Sequence, residues 1–145
     1  MADRKPRKRG RPKEAPTCNC ALLCEDVLVS QARGKHMLHG VINVILVPQL
    51  PWVVGPFVTY VRISNVYPKQ TIHVSFERAE DGEKVFEFAA EPPERPDQLG
   101  VYTFVVTTPP FRLEQDGRYI FSVRSDGTPL AESPISVVCL PISGG

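Results

Sequence analysis

The chain has 145 residues, 42% of them hydrophobic, which is ordinary for a globular protein of one domain. It contains no apolar run approaching the roughly 20 residues that span a bilayer, and no signal-peptide hydrophobic region follows its start. We therefore expect a cytoplasmic protein without a membrane partner. The net charge of +1 hides a division, because residues 1–13 carry a net +6 and the remaining residues a net −5.

The first predicted element is a basic arm. Residues 4–13 read Arg-Lys-Pro-Arg-Lys-Arg-Gly-Arg-Pro-Lys, and seven of these ten residues are cationic. Such a segment has almost nothing apolar to bury, so we predict a disordered arm over residues 1–19 and a folded domain over residues 20–142. Since the folded domain is acidic and repels phosphate, the arm would have to make any contact with DNA.

The arm resembles the AT-hook, a short DNA-binding peptide centred on Gly-Arg-Pro with basic flanks, here Pro6 to Lys13. The minor groove of A·T tracts is narrow and electronegative, which attracts inserted arginines, and Gly10 lets the backbone approach its floor. The resemblance implies that A·T-rich double-stranded DNA is the partner and that the protein is nucleoid-associated. The DNA-binding residues would be Arg7, Lys8, Arg9, Gly10, Arg11, Pro12 and Lys13. The alternative is a basic tail that contacts polyanions without sequence preference.

Three cysteines, Cys18, Cys20 and Cys24, lie around the end of the arm, and Cys139 lies near the end of the sequence. Their spacing lacks the paired knuckles of a zinc site, so we predict no metal and no cofactor. We interpret the cysteines as small, buried apolar residues, with Cys18 as exposed linker. Cys20 and Cys24 would share one face of a strand because their spacing is even.

The domain is predicted to be all-β. Two branched runs, residues 21–30 and 37–47, form an opening hairpin, and later runs alternate apolar and polar residues. In the clearest of these, Ile72, Val74 and Phe76 make one apolar face, and Asp81-Gly82 marks the following tight turn. Short strands separated by frequent turns and 15 prolines indicate an antiparallel β-sandwich of seven or eight strands.

Prolines 48, 51 and 56 interrupt the chain around Trp52, so we predict a loop here. Trp52, Val53 and Val54 are a possible partner surface, for an unknown protein or for a homodimer, because tryptophan is enriched in binding hot spots. The alternative is that Trp52 caps one end of the core. Exposure of these three side chains as one patch would favour the partner surface.

A late segment, Gly117 to Val123, resembles the entry to the penultimate strand of immunoglobulin-like domains. In those domains a tyrosine after a tight turn sends its hydroxyl back to the upstream backbone, and Tyr119 would take that role. We therefore expect the immunoglobulin-like form of the sandwich.

The whole domain resembles a family of uncharacterised bacterial β-sandwich proteins, a domain of unknown function. The resemblance lies in Ala21 to Asp26, Gly34-Lys35 and the segment from Gly117 to Val123. It implies a fold and a bacterial setting but no activity, and the basic arm is not part of it.

Nothing in the sequence indicates an enzyme. The histidines, His36, His39 and His73, are not accompanied by a nucleophile motif, a metal signature or a phosphate-binding loop. We predict no catalytic residue. The sequence thus predicts a non-enzymatic protein that tethers DNA through its arm and binds a protein through its sandwich.

Overall fold

A computed structural model of the chain describes residues 16–30, 35–65, 70–91 and 101–141. Within these ranges the fold is all-β, with eleven strands and no helix. The strands are β1 (Thr17–Ser30), β2 (Lys35–Val41), β3 (Val44–Val47), β4 (Trp52–Val54), β5 (Val58–Ser64), β6 (Ile72–Arg78), β7 (Lys84–Ala90), β8 (Tyr102–Thr107), β9 (Phe111–Leu113), β10 (Gly117–Ser125) and β11 (Thr128–Cys139). The all-β class is confirmed, and the predicted count of seven or eight strands is wrong.

The strands form three sheets. The first has the order β2-β1-β5-β8, the second has the order β3-β11-β10-β6-β7, and β4 pairs with β9 alone. All pairs are antiparallel except β3 with β11, which run parallel. Side chains from both large sheets meet in one core, for example Leu23 and Val61 from the first and Phe76 and Phe121 from the second.

The period-two pattern of β6 is realised as predicted. Ile72, Val74 and Phe76 are fully buried, because alternate residues of a strand point to the same face. The ring of Phe76 stacks on Phe86 and Tyr119, with centroids 5.5 and 5.3 Å apart. An aromatic cluster thus holds β6, β7 and β10 together on the core side of the second sheet.

The predicted second strand, residues 37–47, is divided between the two large sheets. Gly40 has a φ of 68°, and a Cβ at this position would collide with the side chain of Glu25. Just beyond, the amide of Ile42 donates to the carbonyl of Leu23 at 2.8 Å, after which the chain crosses to the second sheet as β3. The hairpin of β1 with β2 is present, but β3 pairs with β11 instead of continuing it.

The predicted loop around Trp52 contains a strand. β4 lies between two prolines but contains none, so its backbone amides are available, and it pairs in register with Phe111, Arg112 and Leu113. Both β4 and β9 are three residues long, too short to show a periodic pattern. Together with β3, they account for the difference between the predicted and observed strand counts.

Two connections before or after β10 adopt the geometry that their local sequences favour. Asp126 and Gly127 both have positive φ values, 48° and 89°, between the paired residues Ser125 and Thr128. This is the geometry of a type I′ hairpin turn, for which Asp-Gly is a preferred pair. Before β10, the hydroxyl of Tyr119 donates to the carbonyl of Gln115 at 2.7 Å, the upstream contact expected from the sequence.

Candidate functional site

The predicted DNA-binding residues, Arg7 to Lys13, lie outside the described residues. Strand β1 begins at Thr17, inside the segment predicted as the arm. Cys18, predicted to be exposed linker, is therefore part of β1, half-buried and packed against the core. A bulge between Cys18 and Cys20 turns Cys18 to the core side, which the even spacing of these residues could not reveal.

The possible partner surface at Trp52 lies on β4. Trp52 and Val53 are 38% and 60% exposed, whereas Val54 is half-buried and packs against the core. Val54 therefore does not form one exposed patch with Trp52 and Val53. Trp52 and Val53 remain accessible to a partner.

Trp52 also lines an open cleft of about 690 Å³. All six lining residues are uncharged: Pro48, Gln49, Leu50, Trp52, Cys139 and Pro141. The parallel pairing of β3 with β11 aligns Val47 with Cys139, which brings the two distant segments together. The sequence singled out Trp52 but gave no signal that the end of β11 lies beside it.

A second cluster forms where the β1–β2 hairpin folds over β5. Tyr60 is paired with Leu22 and His36 with Val29, seven residues farther along β1, so an extended strand would separate them by about 23 Å. The Nδ1 atom of His36 nevertheless lies 2.7 Å from the hydroxyl of Tyr60. β1 must therefore bend, and the end of the hairpin covers the face of β5 that points away from the core.

Cys20 and Cys24 lie on this covered face, in register with Arg62 and Val58, so their predicted common face is observed. Burial raises the pKa of Cys20, an effect that Arg62 opposes, and burial also raises the pKa of Cys24. Burial likewise raises the pKa of Tyr60. Because the thiolate is both the nucleophile and the metal ligand, these shifts disfavour either role for the two cysteines.

The other two histidines lie apart from this cluster. His39 is exposed on β2, and His73 lies on the outer face of the second sheet, near Glu87. There Lys84 donates to Glu87 at 2.8 Å and lowers its pKa, with a further contribution from Arg124 at 3.3 Å. Over the described ranges, no group of three or more His, Cys, Asp or Glu side chains is arranged to hold a metal ion.

In the part of the chain that the structure describes, no helix is long and apolar enough to cross a membrane. A comparison with curated proteins finds no match. Among solved structures, the chain is similar to the Pseudomonas fluorescens alkylpurine DNA glycosylase AlkC bound to DNA containing an abasic site analog. The TM-score is 0.41 at 10% identity, over 82% of this chain and 30% of that one. The chain thus spans less than a third of that protein.

Residues 19–138, which include almost all of the described strands, match a family of unknown function. This range agrees with the resemblance noted from Ala21 to Asp26 and from Gly117 to Val123. The protein belongs to the Family of unknown function (DUF6941).

Proposed function

We propose that this protein is a non-enzymatic DNA tether whose basic arm binds the minor groove of A·T-rich DNA while its β-domain binds a protein. The observation that carries the proposal is the sequence Arg9-Gly10-Arg11-Pro12 with basic residues on both sides. It would place the protein in the cytoplasm, associated with the nucleoid.

The chemistry of the arm supports minor-groove binding. Gly10 adds no side chain, and Pro12 pushes Arg11 towards an extended conformation that suits a peptide lying along a groove. Arg9 and Arg11 would insert into the narrow, electronegative groove of an A·T tract. Lys13 would contact phosphate, which adds affinity without sequence information.

The distribution of charge also supports DNA binding by the arm and protein binding by the domain. The arm is strongly basic, while the rest of the chain carries a net −5 and repels phosphate on average. Three residues separate Lys13 from the first residue of β1, so the arm would act close to the domain that it tethers.

For the protein-binding role, we propose the surface formed by Trp52, Val53 and the adjoining uncharged cleft. Trp52 is accessible and lines the cleft, and a tryptophan beside an apolar depression is a common anchor for a protein partner. A catalytic role is disfavoured by the separation of the three histidines and by the raised pKa values of Cys20 and Cys24.

We also infer that the two large sheets form an immunoglobulin-like sandwich. The order β11-β10-β6-β7 corresponds to strands G, F, C and C′ of that architecture, and the pairing of β5 with β8 corresponds to B with E. The bond from Tyr119 to the Gln115 carbonyl, at the start of β10, matches the tyrosine corner that precedes strand F.

The arm can be tested by binding the full chain to matched A·T-rich and G·C-rich duplexes. Replacing Arg9 and Arg11 with Ala should abolish the preference for A·T-rich DNA, whereas Lys13→Ala should weaken binding to both duplexes by a similar factor. The logarithm of the binding constant should fall with the logarithm of salt concentration at a slope of about −4 to −5.

Equal binding of the unaltered protein to both duplexes would contradict the proposal and leave the arm as a nonspecific polycation. The partner surface is tested separately, by capturing partners with the unaltered chain and with Trp52→Ala. If Trp52→Ala captures the same proteins as the unaltered chain, Trp52 is not part of the partner surface. That result would leave the proposed DNA binding unaffected.

A further inference from the structure

Strand β2 lies at the end of the first sheet's order, and none of the described strands pairs with its outer edge. Its alternate residues divide between two faces. His36 points towards Tyr60, so the opposite face, with Met37, His39 and Val41, points outward.

The outward face of the hairpin is apolar and exposed. Met37 and Val41 are 64% and 43% exposed, and Leu28, which pairs with Met37 across the hairpin, is 55% exposed. Leu28 and Met37 thus form an exposed apolar cross-strand pair, and the Asp26–His39 pair lies between them and Val41.

Apart from Lys35 at its start, the edge lacks the charged residues and prolines that usually protect against another strand. Natural edge strands carry Lys, Asp, Glu, proline or a covering element. From His36 to Val41 the sequence is His-Met-Leu-His-Gly-Val, without Lys, Arg, Asp, Glu or Pro. A surface of this composition is suited to another strand of similar chemistry and offers no cationic row for nucleic acid.

We propose that a second copy of this chain pairs with β2 in antiparallel orientation, with the two-fold axis through His39. Met37 of each copy would then lie opposite Val41 of the other, because opposite residues in a two-fold antiparallel pair are equidistant from the axis. Leu28, which pairs with Met37 across each hairpin, extends this row at its exposed end.

The charges are compatible with this register. The two His39 side chains lie opposite each other at the centre, and each is paired across its own hairpin with Asp26. The central imidazoles therefore lie between two carboxylates, and no like-charged Lys, Arg, Asp or Glu side chains of β2 face each other directly. The edge is thus self-complementary, as a two-fold interface requires.

This dimer does not depend on the proposed DNA binding. If both hold, each dimer carries two arms, and binding of one arm raises the effective concentration of the other at the same DNA. The dimer would then compensate for the weak affinity of a single short peptide.

The test is the sedimentation of the full chain over a range of protein concentrations. The unaltered protein should show a reversible monomer–dimer equilibrium. Met37→Lys and Val41→Glu should each weaken the dimer by about tenfold or more, because each substitution occurs twice in the interface. The double variant places opposite charges face to face twice and should recover most of the loss. Leu46→Lys, an equally exposed change on β3, should dimerise like the unaltered protein.

A monomer at all concentrations would overturn the proposal, and so would a dimer that neither single variant weakens. If the double variant dimerises no better than the single variants, the register with its two-fold axis at His39 is wrong. Should a variant misfold, hydrogen exchange of the unaltered protein tests the proposed pairing instead. Amides of residues 35–41 must lose protection on dilution, and protection independent of concentration would also overturn the proposal.

Discussion

Tyr119 illustrates how one side chain serves both core and loop. Its ring is buried and stacked on Phe76, while its hydroxyl donates to the carbonyl of Gln115 in the loop before β10. The apolar part of the residue thus stabilises the second sheet, and the polar tip fixes the entry to β10. A phenylalanine would keep the first role and lose the second.

Tyr119→Phe should therefore lower the free energy of unfolding by about 1 kcal/mol, since the Gln115 carbonyl loses its donor while the ring packing is kept. Urea denaturation measures this difference. Tyr102→Phe is the matched control, because the hydroxyl of Tyr102 makes a long contact of 3.4 Å with Glu91 at an exposed position. Equal losses in both variants would contradict the role assigned to the bond with Gln115.

At the scale of elements, the β6–β7 hairpin is closed by an arginine that ends β6. The side chain of Arg78 is only 10% exposed. Its Nε and Nη2 atoms donate to Asp81 at 3.0 and 2.6 Å, and Nη2 also donates to Glu83 at 2.8 Å. The hydrogen bonds from Arg78 lower the pKa of Asp81 from its ordinary 3.8 to about 2. The turn at Asp81-Gly82, predicted from sequence, is thus held by a bidentate ion pair.

The lowered pKa predicts an acid dependence of stability. A carboxyl group whose pKa is lower in the folded state stabilises that state above its ordinary pKa, and this contribution is lost as the pH falls through the folded value. Between about pH 4 and pH 2, the unaltered protein should therefore lose stability relative to Asp81→Asn. Urea midpoints of both proteins across this range measure the effect. Parallel curves for the two proteins would show that Asp81 does not contribute.

The whole molecule combines two parts with opposite charge and different chemistry. Within the described ranges, the core is built from strands that run from Thr17 to Cys139. Residues 1–15 contain few apolar side chains, which leaves them little area to bury. We expect the two parts to act independently.

Removal of residues 1–15 should accordingly leave the thermal midpoint within about 2 °C of the full chain, while binding to A·T-rich DNA is lost. Calorimetry and duplex binding on the same pair of proteins check both statements. A midpoint that falls well below that of the full chain would show that the arm contributes to the fold.

The sequence alone determined the features that depend on neighbouring residues. Alternation revealed the buried face of β6, Asp81-Gly82 located the turn after it, and the Gly-x-Tyr segment located the hydroxyl bond of Tyr119. The charge division between arm and domain is likewise a property of the sequence. These features were predictable because each depends on contacts or backbone preferences within a few residues.

Only the tertiary structure decided which distant segments meet. The crossing of β3 to the second sheet, the pairing of β4 with β9, and the cleft shared by Trp52 and Cys139 all join segments far apart in sequence. The bend of β1 that brings His36 to Tyr60 belongs to the same class. A local pattern shows that a strand has one apolar face, but not which strand will cover it, because that choice depends on packing over the whole core.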